Sequence, residues 1–242
     1  MLSFDGVDDF LEHTSALVTS HPLFMAVLVA APLNGSGENV CLAQGSTTAD
    51  AFYTAGFVNF SDNKYCTERT TATGSVRKDR AEAPQISNTV PRWLFVYFGS
   101  STDRRVAFGG STFTTDTTAV SGTGITAMNR TLVGATRRDS GLLHYAKADI
   151  GEAWIGNALP SSTQLDELVA GTRLPENLTG VVDGWYLNAF EAGGTYTSHT
   201  GTRTMTASGG VSASGITHPI SRGGGGSSTG AAAHYYRNLM GA

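Results

Sequence analysis

Charge is scarce in this chain. Asp, Glu, Lys and Arg together make up 15% of its 242 residues, and the formal net charge is −4. With 16 basic residues against 20 acidic ones, the sequence lacks the basic surplus that a nucleic-acid surface requires. The short clusters Arg77-Lys78-Asp79-Arg80 and Arg137-Arg138 read instead as solvated strand ends. A bilayer-spanning run is missing too. The longest apolar stretch, Leu23 to Leu33 (LFMAVLVAAPL), falls short of the ~20 residues a membrane helix needs, and it reads as a buried strand. Nor does it suit a secretory signal, because Asp5, Asp8, Asp9 and Glu12 precede it where basic residues belong. The expectation is synthesis in the cytoplasm without a signal peptide, and no membrane insertion. Cysteine is limited to Cys41 and Cys66, on separate predicted strands that could be bridged only as neighbours. Two buried free thiols are the expected state.

What the chain has in quantity is glycine, 30 residues, with abundant Thr and Ser. This composition suits short strands and tight turns, whereas long helices want more Glu, Lys and Leu. Apolar alternation and turn residues place strands near 2–12, 23–31, 38–45, 51–60, 64–71, 74–80, 92–99, 103–109, 131–138 and 142–157, with another over 183–190. No βαβ rhythm interrupts them, so a doubly wound fold is excluded. One helix is expected. Ser161 stands three residues before Gln164 as in a capping box, Leu165, Leu168 and Val169 make an apolar stripe, and Gly171 suits the position after the helix.

Three stretches resemble the laminin-G-like, or concanavalin A-like, jellyrolls. The opening LSFDGVDDFLEH, Leu2 to His13, matches the Phe-Asp-Gly-x-Asp-Asp-aromatic pattern frequent in the first strand of that family. RWLFVYFGSSTDRRVAFGG, Arg92 to Gly110, matches a central hairpin through Trp93, Asp103 and Gly109, which makes Trp93 a core residue. Thr131 to Gly171 matches a strand, a turn at Asp139-Ser140-Gly141, a long strand and a terminal helix. The resemblance implies an all-β, two-sheet antiparallel jellyroll sandwich with one short helix. Residues 1–182 would form the jellyroll, 183–220 a β extension on or beside it, and 221–242 a Gly/Ser tether with a C-terminal arm.

The 183–220 stretch, with Trp185-Tyr186-Leu187 and a terminal His218-Pro219, is similar to the tail of jellyroll proteins encoded in bacteriophage genomes. That similarity implies a non-enzymatic virion structural protein, a decoration, head-fibre or tail-associated jellyroll. It would dock on a viral capsid or tail protein, or on further copies of itself. Tyr235, Tyr236, Arg237 and Leu239, at the end of the tether, are the candidate docking residues. The alternative is a module that binds host glycans. An exposed aromatic beside polar loop residues on one sheet or rim would favour it.

Catalytic patterns are thin. Retaining β-glucanases of this fold carry paired carboxylates ~5 Å apart on one strand. Here Glu152 stands alone, and simple alternation puts Asp149 on the opposite face. No hydrolase activity is expected. His13, His21, His144, His199, His218 and His234 lack the paired spacing of zinc sites, and no cofactor is expected. Asp5, Asp8 and Asp9 are calcium-ligand candidates, as rim acidic residues are in some laminin-G modules. Calcium takes six or more oxygens, so a strand corner is the preferred reading of these three.

Overall fold

A computed structural model describes residues 1–30, 37–59, 64–70, 76–79, 90–118, 124–172, 174–191 and 193–216. In chain order the first strands are β1 (Leu2–Asp5), β2 (Phe10–His13), β3 (Leu23–Ala30), β4 (Gly37–Gly45), β5 (Phe52–Asn59), β6 (Lys64–Thr70), β7 (Val76–Asp79), β8 (Arg92–Ser100), β9 (Asp103–Phe108) and β10 (Thr114–Asp116). They are followed by β11 (Arg130–Val133), β12 (Thr136–Arg138), β13 (Gly141–Leu143), β14 (Lys147–Gly156), the helix α1 (Ser162–Val169), β15 (Val181–Tyr186), β16 (Thr195–Thr197), β17 (Thr204–Ser208) and β18 (Ser212–Ala213). Among the described residues no helix is long and apolar enough to cross a membrane.

Two antiparallel sheets carry the fold. The first runs β10-β9-β8-β3-β14-β1-β18, with β15 also paired to β14; the second runs β16-β17-β2-β11-β4-β5-β6-β7. The hairpin β8-β9 forms, but it lies to one side of the sheet centre, which β3 and β14 occupy. Leu23, Met25, Val27 and Val29 of β3 point into the core between the sheets, while Phe24, Ala26 and Leu28 point to the outer face. That outer face is covered by Leu165 and Leu168 of α1, and by Leu178. Because both faces of β3 are covered, its eight residues are all buried and its sequence shows no alternation. The same layering explains Trp93. It is buried and stacked on Phe95 at 6.1 Å, yet it belongs to the outer-face cluster and not to the inter-sheet core.

The helix follows its sequence signals closely. The Ser161 hydroxyl accepts the Gln164 N–H at 3.2 Å, the Gln164 side chain accepts the Ser161 N–H at 3.2 Å, and Gly171 takes φ of 69°.

Three expected strands are divided. The 2–12 strand is two strands in opposite sheets, since the corner at Gly6 to Asp9 passes the chain from one sheet to the other. The 131–138 strand splits because β12 leaves the second sheet to pair with β13, and the 142–157 strand becomes β13 and β14 around residues 144–146. The two cysteines are not on neighbouring strands. Strand β5 separates β4 from β6, a spacing of ~9–10 Å, too far for a disulfide. Cys41 is a buried free thiol, and burial pushes its ionisation well above the ordinary range.

Candidate functional site

Strand β15 builds the most distinctive surface of the described residues. At its end Trp185 enters the inter-sheet core, while Tyr186 packs half-buried against the outer-face cluster. Gly184 lies across from Trp154 on β14, and a Cβ there would sit 2.3 Å from two indole carbons. The missing side chain lets the Trp154 ring lie over the β15 backbone.

The loop between β16 and β17, residues 198–203, folds over the edge of this strand. The His199 N–H donates to the Gly184 carbonyl at 2.7 Å. Asp183, whose side chain is fully buried, holds the loop from beneath. Its Oδ1 accepts the Thr200 N–H at 3.2 Å, and its Oδ2 accepts both the Thr200 hydroxyl and Arg203 Nη1 at 2.7 Å. Burial alone would raise the Asp183 carboxyl, but hydrogen bonds from Thr200, Ser198, Arg203 and the Gly184 N–H outweigh it and hold the group below its ordinary value.

This lock sets exposed His199 on the outer face of the first sheet. Its ring centroid is 5.7 Å from Trp154 and 5.8 Å from Tyr186, and the Tyr186 hydroxyl lies 3.4 Å from His199 Nδ1. Tyr186 meets Trp154 edge-on at 5.1 Å. Thr200 and Thr202 are exposed in the same loop, with their hydroxyls 2.8 Å apart. The result is an aromatic rim formed by Tyr186 and His199, the latter carried on a loop with two exposed threonines.

Beneath the rim lies Glu152, fully buried, whose Oε2 accepts the Trp154 indole N–H at 2.8 Å. The alternation that put Asp149 and Glu152 on opposite faces fails here. A β-bulge between Ile150 and Glu152 adds one residue, so Ala148, Ile150, Ala153 and Ile155 face the core while Asp149, Glu152 and Trp154 share the outer face. The two carboxyl groups are therefore on one side of the sheet. Glu152 is nevertheless sealed under the indole and offers no open cleft.

Asp5, Asp8 and Asp9 do come together, with ligand atoms within 4.8 Å of one another. Their bonds show what they do. Asp9 is buried and accepts the Asp5 N–H at 2.9 Å on Oδ2 and the Gly210 N–H on Oδ1, while Asp5 Oδ1 accepts the Val7 N–H at 2.7 Å. These are the bonds of a strand corner. Tyr235, Tyr236, Arg237 and Leu239 lie outside the described residues.

A second half-buried aromatic on the same sheet face is Tyr97. The Arg105 guanidinium stands 5.5 Å above its ring, clamped by Asp103 at 2.7 and 3.0 Å. That ring face is already taken.

The rim is not visible in the sequence, where His199 is one of six scattered histidines and Tyr186 is part of a strand start. The joining signal is long-range, since it needs the 198–203 loop to fold back on β15.

The chain is an all-β jellyroll-type sandwich. No protein-family profile matches it, and no curated protein matches it by sequence. Among solved structures it is similar to a candidate carbohydrate-binding protein of Bacteroides ovatus, with a TM-score of 0.59 and 10% identity over 91% of this chain. It spans 61% of the length of that protein. A heptameric SAP-like pentraxin of Limulus polyphemus gives a TM-score of 0.58 and 11% identity over 90% of this chain and 94% of the pentraxin. The NanB sialidase of Streptococcus pneumoniae, in a K499G mutant structure, gives 0.51 and 10% identity over 84% of this chain and 38% of the sialidase. At such identities the likeness is one of architecture. Nothing in these similarities indicates a bacteriophage origin.

Proposed function

We propose that the protein is a glycan-binding module and that its ligand docks on the rim made by Tyr186, His199, Thr200 and Thr202. The observation that carries this reading is the pair of half-buried Tyr186 and exposed His199, ring against ring at 5.8 Å on a sheet face, with His199 presented by a loop that also exposes Thr200 and Thr202. Saccharides present C–H faces and hydroxyl groups together, and such a rim meets both with rings and with polar tips. The likeness to the Bacteroides protein supports the reading at the level of fold. Glycoside hydrolysis is not part of it, because Glu152 is fully buried and bonded to Trp154. Docking of the C-terminal arm on a viral capsid or tail protein rests on the sequence resemblance alone and gains nothing from these similarities.

Binding of the full chain to an immobilised panel of oligosaccharides tests the proposal. At least one sugar should be retained, and Tyr186→Ala and His199→Ala should each release it without lowering the melting temperature by more than a few degrees. Retention of no sugar, or retention unchanged in both variants, would overturn it.

A further inference from the structure

We infer that this rim selects uncharged saccharides and rejects carboxylated or sulfated ones, an inference that rests on the glycan-binding reading above. The groups offered to a ligand are the Tyr186 phenol, the His199 imidazole and the Thr202 hydroxyl, the Thr200 hydroxyl being committed to Asp183, and none of the three is a permanent charge. An acidic sugar needs a cation to offset the desolvation of its anion, and the strong contacts of that kind are charge-assisted. Among the described residues that join this network, Arg203 is the permanent cation, and it is already matched. Its Nη1 donates at 2.7 Å to the fully buried carboxylate of Asp183. Turning Arg203 toward a ligand would strand that carboxylate inside the protein, a costly exchange. An incoming anion thus meets a guanidinium whose charge Asp183 already offsets.

Asp183 is committed to positioning the loop that presents His199, so the Arg203 charge is spent on the fold of that loop. Selectivity and loop geometry follow from the same ion pair.

The test compares neutral oligosaccharides (gluco-, galacto-, manno- and N-acetylglucosamine oligomers) with their uronic-acid counterparts by calorimetric titration of the full chain at neutral pH. The neutral member of a pair that binds should bind at least tenfold more tightly than its acidic counterpart. Thr202→Lys, which adds an unmatched cation at an exposed position of the rim, should narrow that gap. Acidic sugars binding as tightly as neutral ones, or more tightly, would overturn the selectivity while leaving the glycan-binding reading intact. Failure of both classes to bind would overturn the binding reading and the selectivity with it. A preference for neutral sugars that survives Tyr186→Ala and His199→Ala would place the ligand elsewhere and overturn both as well.

Discussion

Gly184 and Trp154 are fitted to one another across two strands: a Cβ at position 184 would lie 2.3 Å from two carbons of the indole and 2.8 Å from the Ala153 carbonyl oxygen. Neither neighbour can retreat cheaply, since Trp154 is fully buried and bonded to Glu152. Gly184→Ala should therefore destabilise the fold by ~1–3 kcal/mol, the usual range for overpacking. Because Trp154 also supports Tyr186 and His199, its displacement should weaken ligand binding at temperatures where the variant remains folded. Thermal melts and titrations of the variant check both expectations.

Asp183 ties the stability of the rim to pH. Its folded carboxyl is held below the ordinary value of 3.8, so its stabilising contribution is complete above that pH and drains away as the pH falls toward the folded value. Melting temperatures measured from pH 6 down to pH 2 should fall for the natural protein with a component that Asp183→Asn lacks. At neutral pH that variant should be less stable by ~1–3 kcal/mol, the cost of leaving bonded partners such as Arg203 and Thr200 poorly matched. Parallel pH profiles for the two proteins would count against the assignment.

Trp93 tests the outer-face layer. It is 2% exposed, lies parallel to Phe95 at an interplanar angle of 6°, and its indole N–H has no hydrogen-bond partner among the described residues. Trp93→Ala should cost ~3–5 kcal/mol, as large aromatic deletions do. Trp93→Phe should cost much less, because it keeps the stacking ring and removes an unsatisfied donor. Equal losses in chemical-denaturation experiments would mean that the N–H has a partner after all.

Local chemistry explains which parts of this architecture the sequence announces. The α1 cap is written within four residues, Ser161 to Gln164, and the β12-β13 turn within Asp139-Ser140-Gly141, so both follow from their own neighbourhood. Strand β3 is legible as buried but not as buried on two faces by different partners, because an unbroken apolar run carries no phase. The position of Asp149 relative to Glu152 is hidden for another reason. A bulge changes parity, and only the pairing of β14 with β3 reveals it. The rim is the least legible of all, since its parts come from β14, β15 and a loop that Asp183 fixes through tertiary hydrogen bonds.

The account turns on whether the Tyr186–His199 rim holds the ligand. The most direct measurement is a calorimetric titration of the best-retained neutral oligosaccharide into the natural protein, Tyr186→Ala, His199→Ala and the control Tyr97→Ala. The account predicts at least a tenfold loss of affinity, ~1.4 kcal/mol or more, for each rim variant. For the control, whose ring is already covered by Arg105, it predicts no more than a twofold change. Unchanged affinity in the two rim variants, or a loss confined to Tyr97→Ala, would contradict it.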